Sequence, residues 1–277
     1  MATDKKVTRV GDDGDHAAPS REEKVFVASD ESKGKAKQFR LFSILFWLGG
    51  IIAQVFAIRM LLKVPQGQDV SYFWMILLIA IDLALVVTGS WFWKKANRLD
   101  PPSDSNGLLF WMQSQLGMLT AIIAFLPLVI FILTNKNISG KQKAILGSIA
   151  GVAMLIAGIT GYDFNPPSQE QYTKQINEVE ELQADGANLV FWTKSGTKYH
   201  LSDSCSYING KRTDEIFTGT LQKAREEMKI TDLCSLCKSR AEKIGGTVEQ
   251  VGDKVTDVVN DVVTDVKETA EDAMEKE

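Results

Sequence analysis

The sequence predicts a mainly α-helical fold, in which a four-helix transmembrane bundle is followed by a small α+β domain and an amphipathic C-terminal helix. Three observations predict it. Four apolar segments, each near the roughly 20 residues needed to cross a bilayer as a helix, lie within residues 41–162. Nearly all the charge of this 277-residue chain, whose net charge is −4, lies on either side of them. All three cysteines fall in the C-terminal third.

The first 40 residues are predicted to form a disordered polar leader. Residues 1–40 are rich in Asp, Gly, Lys and Ser and contain too few large apolar side chains to offset the entropy of ordering. A cleavable signal peptide would begin with a short basic stretch and an apolar core, which is not the pattern here. We therefore expect the first span to remain in the mature protein as an anchor.

The four spans are apolar around their whole circumference. This pattern argues against four core helices of a soluble protein, because in a small soluble bundle each helix keeps a polar face toward water. Short loops join the segments, so neighbouring spans are expected to pack antiparallel in a lipid bilayer. The spans are predicted at residues 41–62, 72–93, 108–133 and 144–162.

The distribution of Lys and Arg predicts that both termini of this integral protein of the cell membrane are cytoplasmic. Basic residues prefer the cytoplasmic side, and an even number of spans returns the chain to the side where it began. Cysteines kept reduced agree with this orientation. It places seven basic residues near the spans inside, at positions Lys33, Lys35, Lys37, Arg40, Lys94, Lys95 and Arg98, and five outside, at Arg59, Lys63, Lys136, Lys141 and Lys143.

Three further segments follow the spans. Residues 168–185 are predicted to form a stalk helix that begins with a capping box at Ser168. Residues 187–244 indicate a small mixed domain, with two strands joined by a turn at residues 194–196. Residues 245–277 carry valines at helical spacing beside recurring aspartates. This last segment is predicted to be an acidic amphipathic helix or a disordered tail.

The pattern His200-x4-Cys205 and Cys234-x2-Cys237 indicates a metal site. Three thiolates and one imidazole, arranged as two close pairs, are the ligands that tetrahedral zinc prefers. Small domains with little core often depend on such a metal. Two alternatives remain: unlinked thiols beside a surface histidine, and a redox role for the Cys234–Cys237 pair.

The same stretch resembles the Ada-type metal-binding domain. The resemblance lies in residues 190–200, Cys205, the run that starts at Thr220, and residues 234–237. It implies a strand followed by a ligand pair, a short helix and a Cys-x-x-Cys turn that together hold zinc. The DNA-repair version uses four cysteines, one of which accepts a methyl group, whereas this chain has His200 at the first position. The four-span arrangement also resembles uncharacterised bacterial membrane proteins, a likeness that implies no function.

The spans contain a few polar or small residues that are candidate sites. Asp82 lies at the middle of the second span, where a carboxylate is costly and marks a functional candidate. Gln54 is expected to hydrogen-bond to it, and Arg59 to reach toward it or toward lipid headgroups. The alternative is that Asp82 only fixes helix packing. The small residues Gly147, Gly151 and Gly158 predict close helix contact, within the bundle or in a homodimer.

The leading interpretation is a membrane-anchored interaction or sensing protein with a structural zinc module on the cytoplasmic side. The chain contains no Walker loop, nucleophile elbow or His-Glu-x-x-His motif, so the sequence leans away from an enzyme. A protein partner or homo-oligomer is expected. Nucleic acid is a weaker candidate, because residues 188–244 hold ten basic against seven acidic residues. The alternatives are a small transporter or channel-like protein using Asp82, and a zinc-thiolate alkyl-acceptor or redox protein.

Overall fold

The protein is mostly helical with a small sheet region, which confirms the predicted fold class. The computed structural model describes residues 6–10, 25–65, 68–183, 189–226, 230–244 and 256. The chain divides into two compact units. The membrane unit is Val25–Lys174, and the tail unit combines Met1–Lys24 with Gln175–Glu277.

The membrane unit is built from five helices, four of which are long and apolar enough to cross a membrane. Those four are α1, α2, α4 and α5, while α3 is short. Their outward faces carry Leu, Ile, Phe and Val side chains, as expected for surfaces that meet lipid. The helices are α1 Asp30–Leu62, α2 Tyr72–Leu99, α3 Gly107–Ser114, α4 Leu116–Thr134 and α5 Gly140–Gly161.

The interior of the bundle combines large side chains with alanines. Met75, Phe125 and Leu146 are fully buried, and they contact a cluster contributed by α1, α2, α4 and α5. The alanines on α4 and α5 allow these two helices to pack closely. These small residues are Ala121, Ala124, Ala150, Ala153 and Ala157.

The first helix begins earlier than the hydropathy pattern predicts. It starts at Asp30, within the segment predicted as a disordered leader. The Ser29 side chain caps it by accepting a hydrogen bond from the Ser32 amide, and Asp30 and Glu31 lie in the first turn. A capping serine and acidic residues both stabilise a helix N-terminus. Hydropathy alone marks only the apolar part of such a helix.

The segment predicted as the third span is divided into α3 and α4. The break is at Gln115, which has non-helical backbone angles. Its side chain forms a reciprocal pair of hydrogen bonds with the backbone of Asp163, donating to the oxygen and accepting from the amide, each at 2.9 Å. The break therefore places the buried Gln115 side chain where it can hydrogen-bond to the backbone just after α5.

The described residues of the tail unit form two small sheets. The three-stranded sheet has the order β1-β4-β2, with β1 parallel and β2 antiparallel to β4. A second sheet pairs β3 with β5 in parallel. The strands are β1 Lys6–Arg9, β2 Leu189–Trp192, β3 Lys198–Tyr199, β4 Glu215–Thr220 and β5 Asp232–Leu233.

Within residues 169–183, 189–226 and 230–244, three helices accompany these sheets. The predicted stalk is α6, Gln169–Leu182, and Val179 from its later turns is fully buried in the tail core. The short helix α7, Leu221–Glu226, follows β4, and residues 235–244 form α8. The predicted acidic helix over residues 245–277 lies outside the described residues, except for Thr256, which is helical.

Candidate metal centre

The four predicted metal ligands come from three pieces of the tail unit. His200 follows β3 and exchanges two backbone hydrogen bonds with Phe191 of β2, at 2.7 and 2.8 Å. Cys205 lies in a turn, where its carbonyl accepts from the amides of Ile208 and Asn209. Each ligand is thus fixed by backbone structure close to its own position.

The Cys-x-x-Cys pair spans the start of α8. The amide of Cys234 donates to the carbonyl of Tyr199 at 2.9 Å, which ties the residue after β5 to β3. The carbonyl of Cys234 accepts from the Lys238 amide at 3.0 Å, so the helix begins there and Cys237 lies in its first turn. This geometry turns both sulfurs toward the same point.

The structure brings all four predicted ligands together. One ligand atom from each of His200, Cys205, Cys234 and Cys237 lies within 4.8 Å of all the others. Cys237 Sγ lies 3.7 Å from His200 Nδ1. A Zn–S bond of about 2.3 Å in a tetrahedron requires sulfurs about 3.8 Å apart, so small shifts would suffice to close the set on one ion. The cluster can therefore hold a metal ion.

Burial controls the protonation chemistry of the cluster. The four side chains are between 1 and 5% exposed. Burial, followed by the neighbouring cysteines and against an opposing backbone hydrogen bond from Leu201, raises the pKa of the Cys237 thiol to about 12. Burial, followed by the charge of Lys198, lowers the pKa of His200. A thiolate here requires a cation beside it, and a neutral imidazole is the form that binds a metal.

An apolar shell surrounds the cysteines. Ile208 and Ile216 are buried against them, and Phe191, Leu233 and Leu236 pack around the edge. Such a shell excludes water and lowers the local dielectric, which strengthens metal–thiolate interactions.

Asp82 is buried in the bundle but does not make the predicted contacts. It is 1% exposed, and within the described part of the chain neither of its carboxylate oxygens has a hydrogen-bond partner. The same holds for Nε2 of Gln54, so the expected hydrogen bond between them is not formed. The carboxylate instead lies level with Gly50, one helical turn before Gln54, where a Cβ would come within 2.7 Å of Oδ1.

Arg59 does not reach Asp82 either. It is exposed on α1, and no ion pair joins it to Asp82 among the described residues. An exposed arginine near the end of a span is suited to extend toward headgroups, the second of the two predicted roles.

The three glycines predicted to pack closely differ in their surroundings. A Cβ on Gly147 would contact Leu133 of α4 at 3.1 Å. No atom lies within 4 Å of the Cβ positions of Gly151 and Gly158, and Gly158 instead lines an apolar groove of about 430 Å³. The close approach between α4 and α5 is at Gly117 and Gly161, where each glycine meets the backbone of the other.

Several polar residues that hold the bundle together were not singled out from the sequence as a network. Gln142 forms a reciprocal pair of hydrogen bonds with the backbone of Val70. Arg98 and Asp163 form an ion pair of 3.1 Å, with side chains 12 and 4% exposed. Long polar side chains close to span ends were the available signal, since their unpaired burial would be costly.

Comparison with known protein families, curated proteins and solved structures finds no match. The class of protein is therefore defined by fold and site alone. It is a protein with four helices able to span a membrane, and its tail carries a His/Cys cluster that can hold a metal ion.

Proposed function

We propose that this protein is a membrane-anchored interaction or sensing protein whose cytoplasmic tail is built around structural zinc. The observation that carries the proposal is the set of four ligand atoms within 4.8 Å of one another, all on buried side chains. The ligands would be His200, Cys205, Cys234 and Cys237. The rest of the tail would present a surface to a partner.

Zinc is favoured by the chemistry of the donors. Three sulfurs and one imidazole nitrogen suit a tetrahedral ion of borderline softness, whereas Mg²⁺ and Ca²⁺ prefer oxygen ligands. Four protein ligands also fill the tetrahedron. A closed, buried site of this kind supports a structural role, because catalytic zinc keeps one position open for water or substrate.

The burial of the cysteines weighs against the alkyl-acceptor and redox alternatives. Reactive thiols lie in partly exposed, electropositive surroundings, whereas Cys205, Cys234 and Cys237 are at most 5% exposed. The resemblance to Ada-type domains therefore supports metal binding and the local fold. We do not propose alkyl transfer.

Two observations support placing both termini in the cytoplasm. β1 precedes the spans and β4 follows them, yet they pair in one sheet, which requires both ends on the same side of the bilayer. The excess of basic residues near the N-terminus and the second loop selects the cytoplasmic side. Protease protection of tags at both ends, in sealed vesicles of known orientation, tests this placement.

Exposed cations support an interaction surface on the tail. Lys194, Lys198, Lys211 and Arg212 are exposed, and Tyr207 is 71% exposed. A protein partner or a second copy of the chain is the proposed ligand. Salt-sensitive retention of the full chain on RNA or DNA would instead point to nucleic acid.

The metal content of the full chain tests the zinc proposal. Protein purified in detergent micelles should carry one zinc per chain, and the variants Cys234→Ser and Cys205→Ser should lose it. Ser235→Ala is the matched control, since Ser235 lies between two ligands but is exposed and offers no sulfur. Zinc-free wild-type protein that keeps its circular dichroism and melting temperature in chelator would overturn the proposal.

A further inference from the structure

The segment that precedes the first span is a strand of the tail sheet. β1 lies beside β4, with Val7 opposite Ile216 and Thr8 opposite Phe217. Beyond the strand, the amide of Val10 donates to the carbonyl of Thr218 at 2.8 Å. Because the sheet order is β1-β4-β2, the N-terminal strand occupies the edge of β4.

Val7, Val10 and Lys6 on this segment are largely open to solvent. Val7 and Val10 remain 45 and 37% exposed. The Thr8 hydroxyl donates to the Glu215 carboxylate, and Lys6 Nζ lies 3.0 Å from the same group, with the lysine 77% exposed. Exposed ion pairs add little stability. The backbone pairing with β4 runs along the whole of β1, so docking requires β4 to be held in position.

The position of β4 is fixed by contacts with the metal ligands and their neighbours. Ile216, opposite Val7, is 1% exposed and packs in one cluster with Cys205, Cys234 and Cys237. On its other edge, β4 pairs with β2, whose Phe191 exchanges backbone hydrogen bonds with His200. The candidate metal centre therefore holds β4 in two ways. Ile216 packs against the cysteines, and β2, which is hydrogen-bonded to His200, pairs with the second edge of β4.

We propose that the edge of β4 is a strand-docking site whose occupancy by residues 6–10 is coupled to metal binding at the His/Cys cluster. This rests on the proposed zinc site and deepens it. An ion that draws the four ligands together fixes Ile216 and β2, and so presents β4 in register for β1. By thermodynamic reciprocity, docked β1 tightens metal binding by the same factor.

Because of this coupling, binding or loss of the metal changes whether β1 is docked on the tail sheet. With metal bound, the segment that precedes α1 is held on the tail sheet. When the metal leaves, that segment is released and the edge of β4 is exposed as an unpaired strand edge, a template for strand pairing. The occupant of the site is this chain's own residues 6–10, so metal loss changes both the leader and the tail surface.

Hydrogen exchange of the full chain in detergent micelles tests the first half of the coupling. With one zinc bound, amides in the peptide covering residues 6–10 should be protected, and chelation should remove that protection. Amides within α4 are the internal control, because they lie in the membrane unit and should not respond. Protection of residues 6–10 that survives complete removal of the zinc would overturn the coupling.

Metal affinity tests the second half. Deletion of residues 1–10 should weaken zinc binding about fivefold or more, a typical coupling factor, in competition with a chromophoric chelator. Gly219→Ala is a second variant, because its Cβ would lie 2.5 Å from the carbonyl of Val10 and 3.1 Å from the Trp192 ring, and so would displace the strand end together with its contact to β2. Arg240→Ala, at an exposed position on α8 and outside β1 and β4, is the control and should bind zinc as wild type does.

The outcomes separate this inference from the function on which it rests. Zinc bound with unchanged affinity in the deletion variant overturns the coupling and leaves the zinc proposal standing. A wild-type chain that binds no zinc overturns the zinc proposal, and the coupling with it. If an added extended peptide from another protein displaces β1 while zinc stays bound, the edge is a site for a foreign partner and the assignment of its occupant is wrong.

Discussion

Gly161 at the end of α5 touches the backbone of Gly117 in α4, so that a Cβ on Gly161 would lie 2.7 Å from the Gly117 carbonyl. Gly161→Ala should therefore push the two helices apart and destabilise the bundle by about 1–3 kcal/mol, as overpacking does. Thermal unfolding of the full chain in detergent measures this. Gly151→Ala is the matched control, because nothing lies within 4 Å of its Cβ position. Equal losses in both variants would contradict the described helix contact.

The ion pair between Arg98 and Asp163 should matter more than the pair between Arg40 and Asp100. The first is largely buried, with side chains 12 and 4% exposed, whereas both members of the second are 24% exposed. Removing one member of a buried pair leaves an uncompensated charge and costs about 3–5 kcal/mol. We expect Asp163→Asn to lower the unfolding temperature more than Asp100→Asn does. The reverse order would show that burial does not set the strength of these pairs.

Replacing the histidine ligand by cysteine should preserve the metal. Sites with four cysteines and sites with three cysteines and one histidine are both common for structural zinc. We expect His200→Cys to retain one zinc per chain, with reduced affinity because the side chain is shorter, and His200→Ala to lose it. Native mass spectrometry of the detergent-solubilised chain distinguishes these results. Retention of zinc in His200→Ala would remove His200 from the ligand set.

Asp82→Asn should leave the bundle at least as stable as wild type. The carboxylate is 1% exposed and its oxygens have no hydrogen-bond partner within the described residues, so an amide of the same shape costs less to bury. Thermal unfolding again gives the measurement. A large loss of stability would instead reveal that Asp82 makes an essential contact. Loss of an ion flux in reconstituted vesicles, at unchanged stability, would favour the transporter interpretation.

Glu215→Gln should loosen β1 slightly at neutral pH without removing zinc, because an exposed ion pair adds little stability. The hydrogen bond from Thr8, followed by Lys6, holds the pKa of Glu215 below its usual range. A depressed pKa means that the carboxylate's contribution is complete above the usual value and is lost only as pH falls through the folded value. Protection of residues 6–10 in wild type should thus show no Glu215-dependent change between pH 7 and mildly acidic pH. The variant should show the same deficit throughout that range, and identical exchange in the two proteins would contradict this role.

Hydropathy and ligand spacing predicted the parts of the molecule that depend on local pattern. The four membrane-capable helices follow from apolar runs. The His/Cys cluster follows from two short ligand pairs, because only four residues separate His200 from Cys205 and only two separate Cys234 from Cys237.

Features that depend on distant contacts were not predictable in the same way. The start of α1 at Asp30 is set by a cap in polar sequence, which hydropathy does not detect. A glycine pattern shows which positions are small and gives no information on which face meets a neighbour, so Gly151 and Gly161 could not be told apart. The pairing of Thr8 with Glu215 joins residues 207 positions apart, and the short polar strand that makes it has no apolar alternation.

The parallel pairing of β1 with β4 also has a consequence for biosynthesis. The ribosome makes β1 first, and its neighbour in the sheet emerges only after all four apolar helices have been synthesised. The three-stranded sheet therefore cannot be completed during translation of the bundle. If one of the four helices failed to enter the bilayer, β1 and β4 would lie on opposite sides of it and could not pair. Completion of the sheet is therefore a late step in the formation of this protein, and it depends on the helices that lie between its strands in the chain.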